Sequence, residues 1–554
     1  MKLFVTVFGL LFLASCTALQ GLDEPRPEAE DLPDPVERGE IRFFIMSDLN
    51  SSFGSTDYQW QVDSTVVWLP RYAPDMVLSA GDLVAGQDRS LSDDEITAMW
   101  DGFERHIADS LRSYNIPYAP AMGNHDGSNA HPDFQREREK AKAYFNQEGL
   151  DWGIDFVDQA NFPFWYSFDI DDVFFLVWDA TSANIPDENL SWMKEQLETD
   201  RAQEASMRIV MGHLSLYPVA VGRNRLGELL NDPDDLLEIL ETYDVHTYIS
   251  GHNHAYYPGK RGDVDLLNSG ALGSGPRQIL GSPDESRHVF TIVDVWPDEG
   301  RTVYTSVDAR TAEIIEKNEL PRYTQGVNGY VIRRDLGMPS GFSGELFSSP
   351  IYDTAEKTHG DFNADFEDGT ITVTGNVQTA HTEEVKLQLG KGSLFHQDRI
   401  LKEKNIRADS ESTSFEFVYG DAGRFEQEQL KAGMLHVAVQ LNETNYNKYK
   451  GNIVEQGKVA PHDVTTTETD WDGSHLNVSW NAERDSDGYP IHYVIQVADD
   501  QNFDSISYSF HAGAGVDQME LRGFRSLLGD RNKYLRVVAS DGKHRISGPS
   551  VSLP

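Results

Sequence analysis

Between residues 41 and 308, short apolar runs alternate with amphipathic stretches. The runs include Ile41-Arg42-Phe43-Phe44-Ile45-Met46, Met76-Val77-Leu78, Phe174-Phe175-Leu176-Val177, Arg208-Ile209-Val210-Met211 and Thr247-Tyr248-Ile249. Each is too short for a stable helix and is closed by Gly, Asp, Asn or His, so each reads as a buried strand. The intervening stretches, such as residues 92–114 and 187–197, carry apolar residues at helical spacing. Strands alternating with helices predict an α/β domain. Residues 164–177, which turn at Asp169-Ile170-Asp171-Asp172, read as an antiparallel hairpin, so the sheet is expected to be mixed.

Beyond residue 318 the helical signals thin out and two-residue alternation takes over, as in Thr370-Ile371-Thr372-Val373-Thr374, Val385-Lys386-Leu387-Gln388-Leu389, Phe415-Glu416-Phe417 and Leu435-His436-Val437-Ala438-Val439. Such alternation predicts the strands of a β-sandwich over residues 319–457. A linker is expected at 456–461. The last segment carries Leu476-Asn477-Val478-Ser479-Trp480, then Tyr493-Val494-Ile495-Gln496-Val497, then Tyr534-Leu535-Arg536-Val537-Val538-Ala539. A strand-borne Trp followed by Tyr-x-x-Arg-Val-x-Ala resembles a fibronectin type III module over residues 460–554. Neither β region gathers catalytic residue types, so they are expected to serve as spacers or as platforms for glycan or protein contact.

The amino terminus follows a different pattern. Met1-Lys2 is a short positive stretch, residues 3–13 are an 11-residue, mostly apolar run, and Leu13-Ala14-Ser15-Cys16 follows. At about 1.5 Å per residue this run is too short to span a hydrocarbon core of about 30 Å, and a signal peptide fits better. Leu-Ala-Ser-Cys resembles the bacterial lipoprotein box, which implies cleavage after residue 15 and lipid on Cys16. Thr17 after the Cys resembles an outer-membrane sorting signal. Residues 23–38, with four prolines and seven acidic residues, cannot build a core and are expected to form an extended tether within 16–40. No later stretch reaches 18 consecutive apolar residues, so the lipid is the expected membrane contact. These features place the protein at the cell envelope, periplasmic or surface-exposed.

Length and charge narrow the function. At 554 residues the chain has room for about three to five domains. With 47 Lys+Arg against 90 Asp+Glu the net charge is −43, which repels a phosphate backbone, and no basic patch offsets it. Nucleic acid is therefore not an expected partner. A single Cys excludes any internal disulfide.

The chemistry lies in the α/β part. Five apolar runs end in metal-ligand residue types: Ser47-Asp48-Leu49-Asn50, Gly81-Asp82, Gly123-Asn124-His125-Asp126, Gly212-His213 and Gly251-His252-Asn253-His254. A lone Asp after a strand usually caps the next helix. Five such ends in order point instead to convergence, because ligands of open α/β sheets bind at the carboxyl ends of the strands. Imidazole nitrogens with carboxylate and amide oxygens, and no thiolate, suit Mn, Fe or Zn. Two cations about 3.5–4 Å apart can neutralise a phosphoryl group, activate a water and hold the attacking and leaving oxygens in line.

By order, strand context and spacing, residues 41–318 resemble the calcineurin-like metallophosphoesterase superfamily, on its purple acid phosphatase and cyclic-nucleotide phosphodiesterase side. The resemblance implies a four-layer α/β/β/α sandwich and two divalent or mixed-valence metal ions. It implies that Asp82 bridges them, that one takes Asp48 and His254 and the other Asn124, His213 and His252, and that His125 contacts the phosphoryl group and assists the leaving oxygen. Asp126 is expected to orient the His125 imidazole as an acceptor. Most of the superfamily has Asp-x-His where this chain has Asp48-Leu49-Asn50, so Asn50 stands in place of an imidazole ligand. Where purple acid phosphatases continue to a Tyr that ligates iron, Gly81-Asp82-Leu83-Val84 runs on to Ala85, so no purple charge-transfer band is expected.

Tyr217, Tyr256, Arg223, Arg225 and Arg277 are candidate substrate contacts, the arginines through phosphate pairing. His106, His131 and His246 fall outside the motifs and read as structural. The Gly-rich residues 268–281 are expected to form a loop near the site. The substrate expected is a phosphate monoester. A phosphodiester is the alternative, and a non-catalytic surface protein on a degenerate scaffold is the reading from another class.

Overall fold

The structure, a computed structural model, describes residues 26–336 apart from 226, 232, 274, 283–285 and 327–328, and chiefly the β-strands between residues 346 and 553. The expected signal segment 1–15, Cys16 and residues 456–460 of the expected linker lie outside the described residues.

Two mixed sheets make the α/β domain. The first runs, in spatial order, Glu313–Ile314, Arg301–Asp308, Val289–Trp296, Ile41–Ile45, Met76–Ser79 and Tyr118–Pro120. Its last three strands are parallel, and Val289–Trp296 pairs antiparallel with Ile41–Ile45. The second runs Tyr323–Gly326, Gly329–Arg333, Tyr256–Arg261, Val264–Ser269, Thr247–Ser250, Met207–Met211, Val173–Val177, Trp165–Ile170 and Asp155–Asn161. Here Val173–Val177, Met207–Met211, Thr247–Ser250 and Val264–Ser269 are parallel neighbours. The second sheet thus continues past residue 318 to Arg333.

Side-chain alternation along Ile41–Ile45 stacks the layers. Phe43 meets Phe175 of the other sheet edge-on at 5.1 Å, while Phe44 turns to the opposite side, against Phe290 at 5.1 Å and Tyr72 at 5.8 Å. Tyr72 belongs to the helix Trp60–Tyr72, which covers the first sheet. The helix Pro233–Thr242 packs on strand Val264–Ser269, and Gln196 of the helix Asp187–Leu197 bonds Ser167, covering the second. Helix, sheet, sheet and helix are the four expected layers, sharing one core. Asp93–Phe103 starts on a Ser92/Glu95 capping box, and the 164–177 hairpin forms with Ile170 opposite Val173.

The acidic, proline-rich stretch differs from expectation. From residue 29 on it lies along the domain: Leu32 is buried, Arg71 donates to the Leu32 carbonyl at 2.8 Å, and Arg38 pairs with Asp75 at 2.7 Å. Prolines deprive it of a core of its own, but its carbonyls and carboxylates find the domain's arginines. Among the described residues no helix is long and apolar enough to cross a membrane.

The remaining strands are antiparallel. Those from Leu346–Ser348 to Lys448–Glu455 form one sheet. Those from Thr467–Asp472 to Val551–Leu553 form two sheets around a shared core in which Trp480 packs on Tyr493 at 5.5 Å.

Candidate metal centre

The candidate ligands follow strands of both sheets. Asp48, Asp82 and Asn124 come after Ile41–Ile45, Met76–Ser79 and Tyr118–Pro120, and His213, His252 and His254 after Met207–Met211 and Thr247–Ser250. The backbone turns sharply there: φ is 51° at Asp48, 55° at Asp82, 61° at His252 and 55° at His254. Left-handed geometry costs a non-glycine residue about 1–2 kcal/mol, so packing must impose it. The turns brace one another, with Asp48 N on the Gly81 carbonyl and Gly251 N on the His213 carbonyl, both at 3.0 Å. Two of the glycines that precede ligands are sterically required. A Cβ on Gly123 would lie 2.2 Å from Asp82 Oδ1, and one on Gly251 2.6 Å from Asp48 Oδ2.

The side chains form two groups, Asp82 with His213 and His252, and Asp48 with Asp82 and His254. Within each, the candidate ligand atoms lie within 4.8 Å of one another, and Asp82 is common to both. His254 Nε2 is 3.2 Å from Asp48 Oδ1, and His213 Nε2 is 3.3 Å from Asp82 Oδ1 and 2.9 Å from Asn124 Oδ1. Asn124 is aimed by its amide nitrogen, which donates to Gln87 Oε1 at 2.7 Å. Burial disfavours the charged forms, but His254 beside Asp48, and His213 and His125 around Asp82, hold both carboxyls below their usual range. Burial likewise opposes charge on His213, yet Asp82 pushes it up to about 9. Burial drives His252 down to about 3, leaving its imidazole neutral, the form that ligates.

This set fits cations. Asn50 Oδ1, Asp82 Oδ2 and His252 Nδ1 are buried with no hydrogen-bond partner. All three are acceptors, and leaving buried acceptors unmatched costs about 1–3 kcal/mol each, a cost that a cation among them removes. Asn50 Oδ1 is thus available to a cation. Asn50→Ala is expected to weaken the Asp48/His254 site, and Asn50→His to tighten it, each by on the order of tenfold, a difference of about 1.4 kcal/mol. Calorimetric titration of chelated protein with Mn²⁺ measures both.

His125 sits at the rim of these groups, with its Nε2 4.0 Å from Asp82 Oδ2, its backbone N on Asp82 Oδ1 at 2.9 Å and its ring 5.3 Å from that of Phe53. Asp126 does not orient it. The Asp126 carboxylate accepts from the backbone N–H groups of Leu83, Val84 and Gly123 at 2.7–2.9 Å, bracing the Asp82 and Asn124 turns, whereas His125 Nδ1 faces the Gly86 carbonyl at 2.8 Å. Adjacent residues in the short helix Asn124–Gly127 point in different directions, so sequence proximity misleads here.

The family model for the calcineurin-like phosphoesterases matches residues 41–256, the span that carries every one of these ligands. Residues 41–256 form a calcineurin-like phosphoesterase domain. Among solved structures, the chain is similar to the purple acid phosphatase PPD1 from yellow lupin seeds (16% identity, 51% of this chain, TM-score 0.39), and it spans 54% of that enzyme's length. It is also similar to GAP50 of Plasmodium (15% identity, 50% of this chain and 88% of that one, TM-score 0.33). A third is a putative 5'-nucleotidase from Staphylococcus aureus (11% identity, 64% and 74%, TM-score 0.29). No curated protein matches the chain.

Above its ligands the phosphoesterase domain opens a cleft of about 1030 Å³, lined by Asn50, Phe53, His125, Arg223, Glu228 and Arg277 among others. Arg223 and Arg277 therefore reach the cleft. Tyr217 and Tyr256 do not line it. Both are buried, and the Tyr217 hydroxyl bonds Asp234 at 3.0 Å. Arg225 is largely exposed and paired with Glu228 at 2.6 Å. The Gly-rich residues 268–281 do reach the site: the Gly275 carbonyl lies 3.0 Å from His254 Nδ1. Gln87, Phe53 and Glu228 were not singled out from the sequence, since none carries a motif of its own.

Proposed function

We propose that the protein is a dinuclear metal-dependent phosphoesterase that hydrolyses phosphomonoesters. The observation that carries this reading is the pair of buried ligand groups sharing Asp82, with unmatched acceptors turned inward. Asp48, Asn50, Asp82 and His254 would hold one ion, and Asp82, Asn124, His213 and His252 the other. When bound, such ions neutralise phosphoryl oxygens and lower the pKa of water toward neutrality. The chain's own residues do the rest. Arg277, half-buried on the cleft wall with its Nε unpartnered, supplies cationic charge for the phosphoryl oxygens. His125, its Nδ1 on a carbonyl and its Nε2 facing the centre, is placed to pass a proton to the leaving oxygen.

A monoester is a dianion near neutral pH and a diester a monoanion, so the arginines on the wall favour the monoester. The cleft volume favours the second reading, a phosphodiester, because it leaves room for a second ester group. Paired nitrophenyl mono- and bis-esters test this, with Mn²⁺, Zn²⁺ or Fe added back to chelated protein and His252→Ala as control. Metal-dependent turnover of the monoester that is lost in the control supports the reading. Faster turnover of the bis-ester moves it to a diesterase, and no turnover with any metal in folded protein moves it to a binding protein.

Cys16 after Leu13-Ala14-Ser15 supports attachment to the cell envelope, probed by metabolic labelling with palmitate. Label on the wild type and none on Cys16→Ser is the expected result. The two-sheet core around Trp480 supports a fibronectin type III-like module as a spacer or as a platform for glycan or protein.

A further inference from the structure

A metal-ligating imidazole must turn one nitrogen's lone pair inward and have its other nitrogen held. For two of the three histidines, backbone carbonyls do the holding. His213 Nδ1 lies 2.7 Å from the Ala80 carbonyl and His254 Nδ1 3.0 Å from that of Gly275. A carbonyl only accepts, so Nδ1 carries the hydrogen in both rings and Nε2 faces the centre. His252 is reversed. Its Nδ1 is buried without a partner, and its Nε2 lies 3.0 Å from Glu228 Oε2.

We propose that Glu228 is a positioning residue for the His252 ligand: its carboxylate accepts the Nε2–H, which places the lone pair on Nδ1 and fixes the ring in its plane. The role rests on the metal-dependent reading above. Glu228 is itself held. Arg223 Nη1 donates to its Oε2, and Arg225 donates to its Oε1 through Nη2 at 2.6 Å and Nε at 3.2 Å. With its side chain 17% exposed, the carboxylate is kept on the cleft wall by two cations and one imidazole. Arg223 also places Nη2 3.4 Å from His254 Nε2, so the Glu228–Arg223 pair touches one histidine of each ligand group. The direct contact is to His252, and the Asp82/His213/His252 group is the one that depends on it.

The test is titration of chelator-stripped full-length protein with Mn²⁺ alone and with Zn²⁺ alone, read as the affinity and stoichiometry of each site. Glu228→Ala is expected to lower the affinity of one of the two sites by about 10–100-fold, the usual scale for losing the partner of a ligating histidine. Glu228→Gln, whose amide oxygen can accept the same hydrogen bond, should recover most of that loss although it pairs less well with the arginines. Arg225→Ala, which removes two bonds to Glu228 Oε1 but leaves Arg223 and the Oε2 contact to His252 in place, should weaken the same site by less than Glu228→Ala does. If Glu228→Ala does not fold, Glu228→Asp carries the test: it keeps the charge for the arginines, draws the carboxylate back by one methylene, and should still weaken one site.

Wild-type affinity at both sites in the folded Ala or Asp variant overturns the proposal. So does an equal loss in Gln and Ala, which would show that charge, and not the hydrogen bond to Nε2, is what matters. A wild type that binds two ions yet hydrolyses no ester refutes the proposed activity and leaves the role of Glu228 intact. A wild type that binds no ion refutes both.

Discussion

Asp82→Asn is expected to lose both metal ions and, with them, hydrolysis. Asp82 is the one residue common to the two ligand groups. Asn keeps the shape of the side chain and one oxygen but removes the charge, and it turns an amide N–H₂ toward atoms that Asp82 meets as an acceptor. The backbone N of His125 donates to Asp82 Oδ1 at 2.9 Å, and Oδ2 is buried with no partner. Breaking a buried charge cluster by removing one member costs about 3–5 kcal/mol, or roughly two to four orders of magnitude in affinity at about 1.4 kcal/mol per factor of ten. The measurement is metal content after dialysis, alongside turnover of a nitrophenyl monoester. An Asp82→Asn variant that retains two ions and more than a tenth of wild-type turnover would remove Asp82 from the shared position.

His125→Ala should behave oppositely, keeping its metals while kcat falls. Among the motif histidines, His125 is the one outside both ligand groups, and its Nε2 faces the centre from 4.0 Å. General-acid assistance contributes about 10²–10⁴-fold, and it matters most when the departing oxygen is basic. The expected loss is therefore near the top of that range for an alkyl monoester such as glycerol phosphate, and much smaller for a nitrophenyl ester, whose anion leaves unaided. Equal losses for the two esters with metal content unchanged would mean that His125 binds the phosphoryl group and delivers no proton.

The site shows why some residues were legible and others were not. Gly123-Asn124 and Gly251-His252 announce themselves because the ligand directly follows a glycine, although what requires the glycine is tertiary, the close approach of Asp82 and of Asp48. Tyr217 and Tyr256 lie as near to the histidine motifs in sequence, yet both turn into packing. Closeness along the chain does not fix direction where the backbone changes hand within one or two residues, as it does at His252 and His254. Asp126 shows the same effect. It adjoins His125 and expends its carboxylate on three backbone N–H groups instead.

The pattern of apolar runs and the residues at their ends determined the α/β domain, its mixed sheet and the set of ligand candidates, while the four layers followed from the family resemblance those residues carry. Those features depend on side-chain period and on residue type at a strand end, both of which are local. The tertiary structure decided how each nitrogen and oxygen is used. His252 turns Nδ1 inward because Glu228, 24 residues earlier, takes its Nε2, while His254 turns Nε2 inward because the carbonyl of Gly275, 21 residues later, takes its Nδ1. It also laid residues 29–38 along the domain, where the partners of an acidic segment are arginines such as Arg71 and Arg301. Hydrogen bonds between distant segments select tautomers and surface contacts, and no spacing along the chain encodes them.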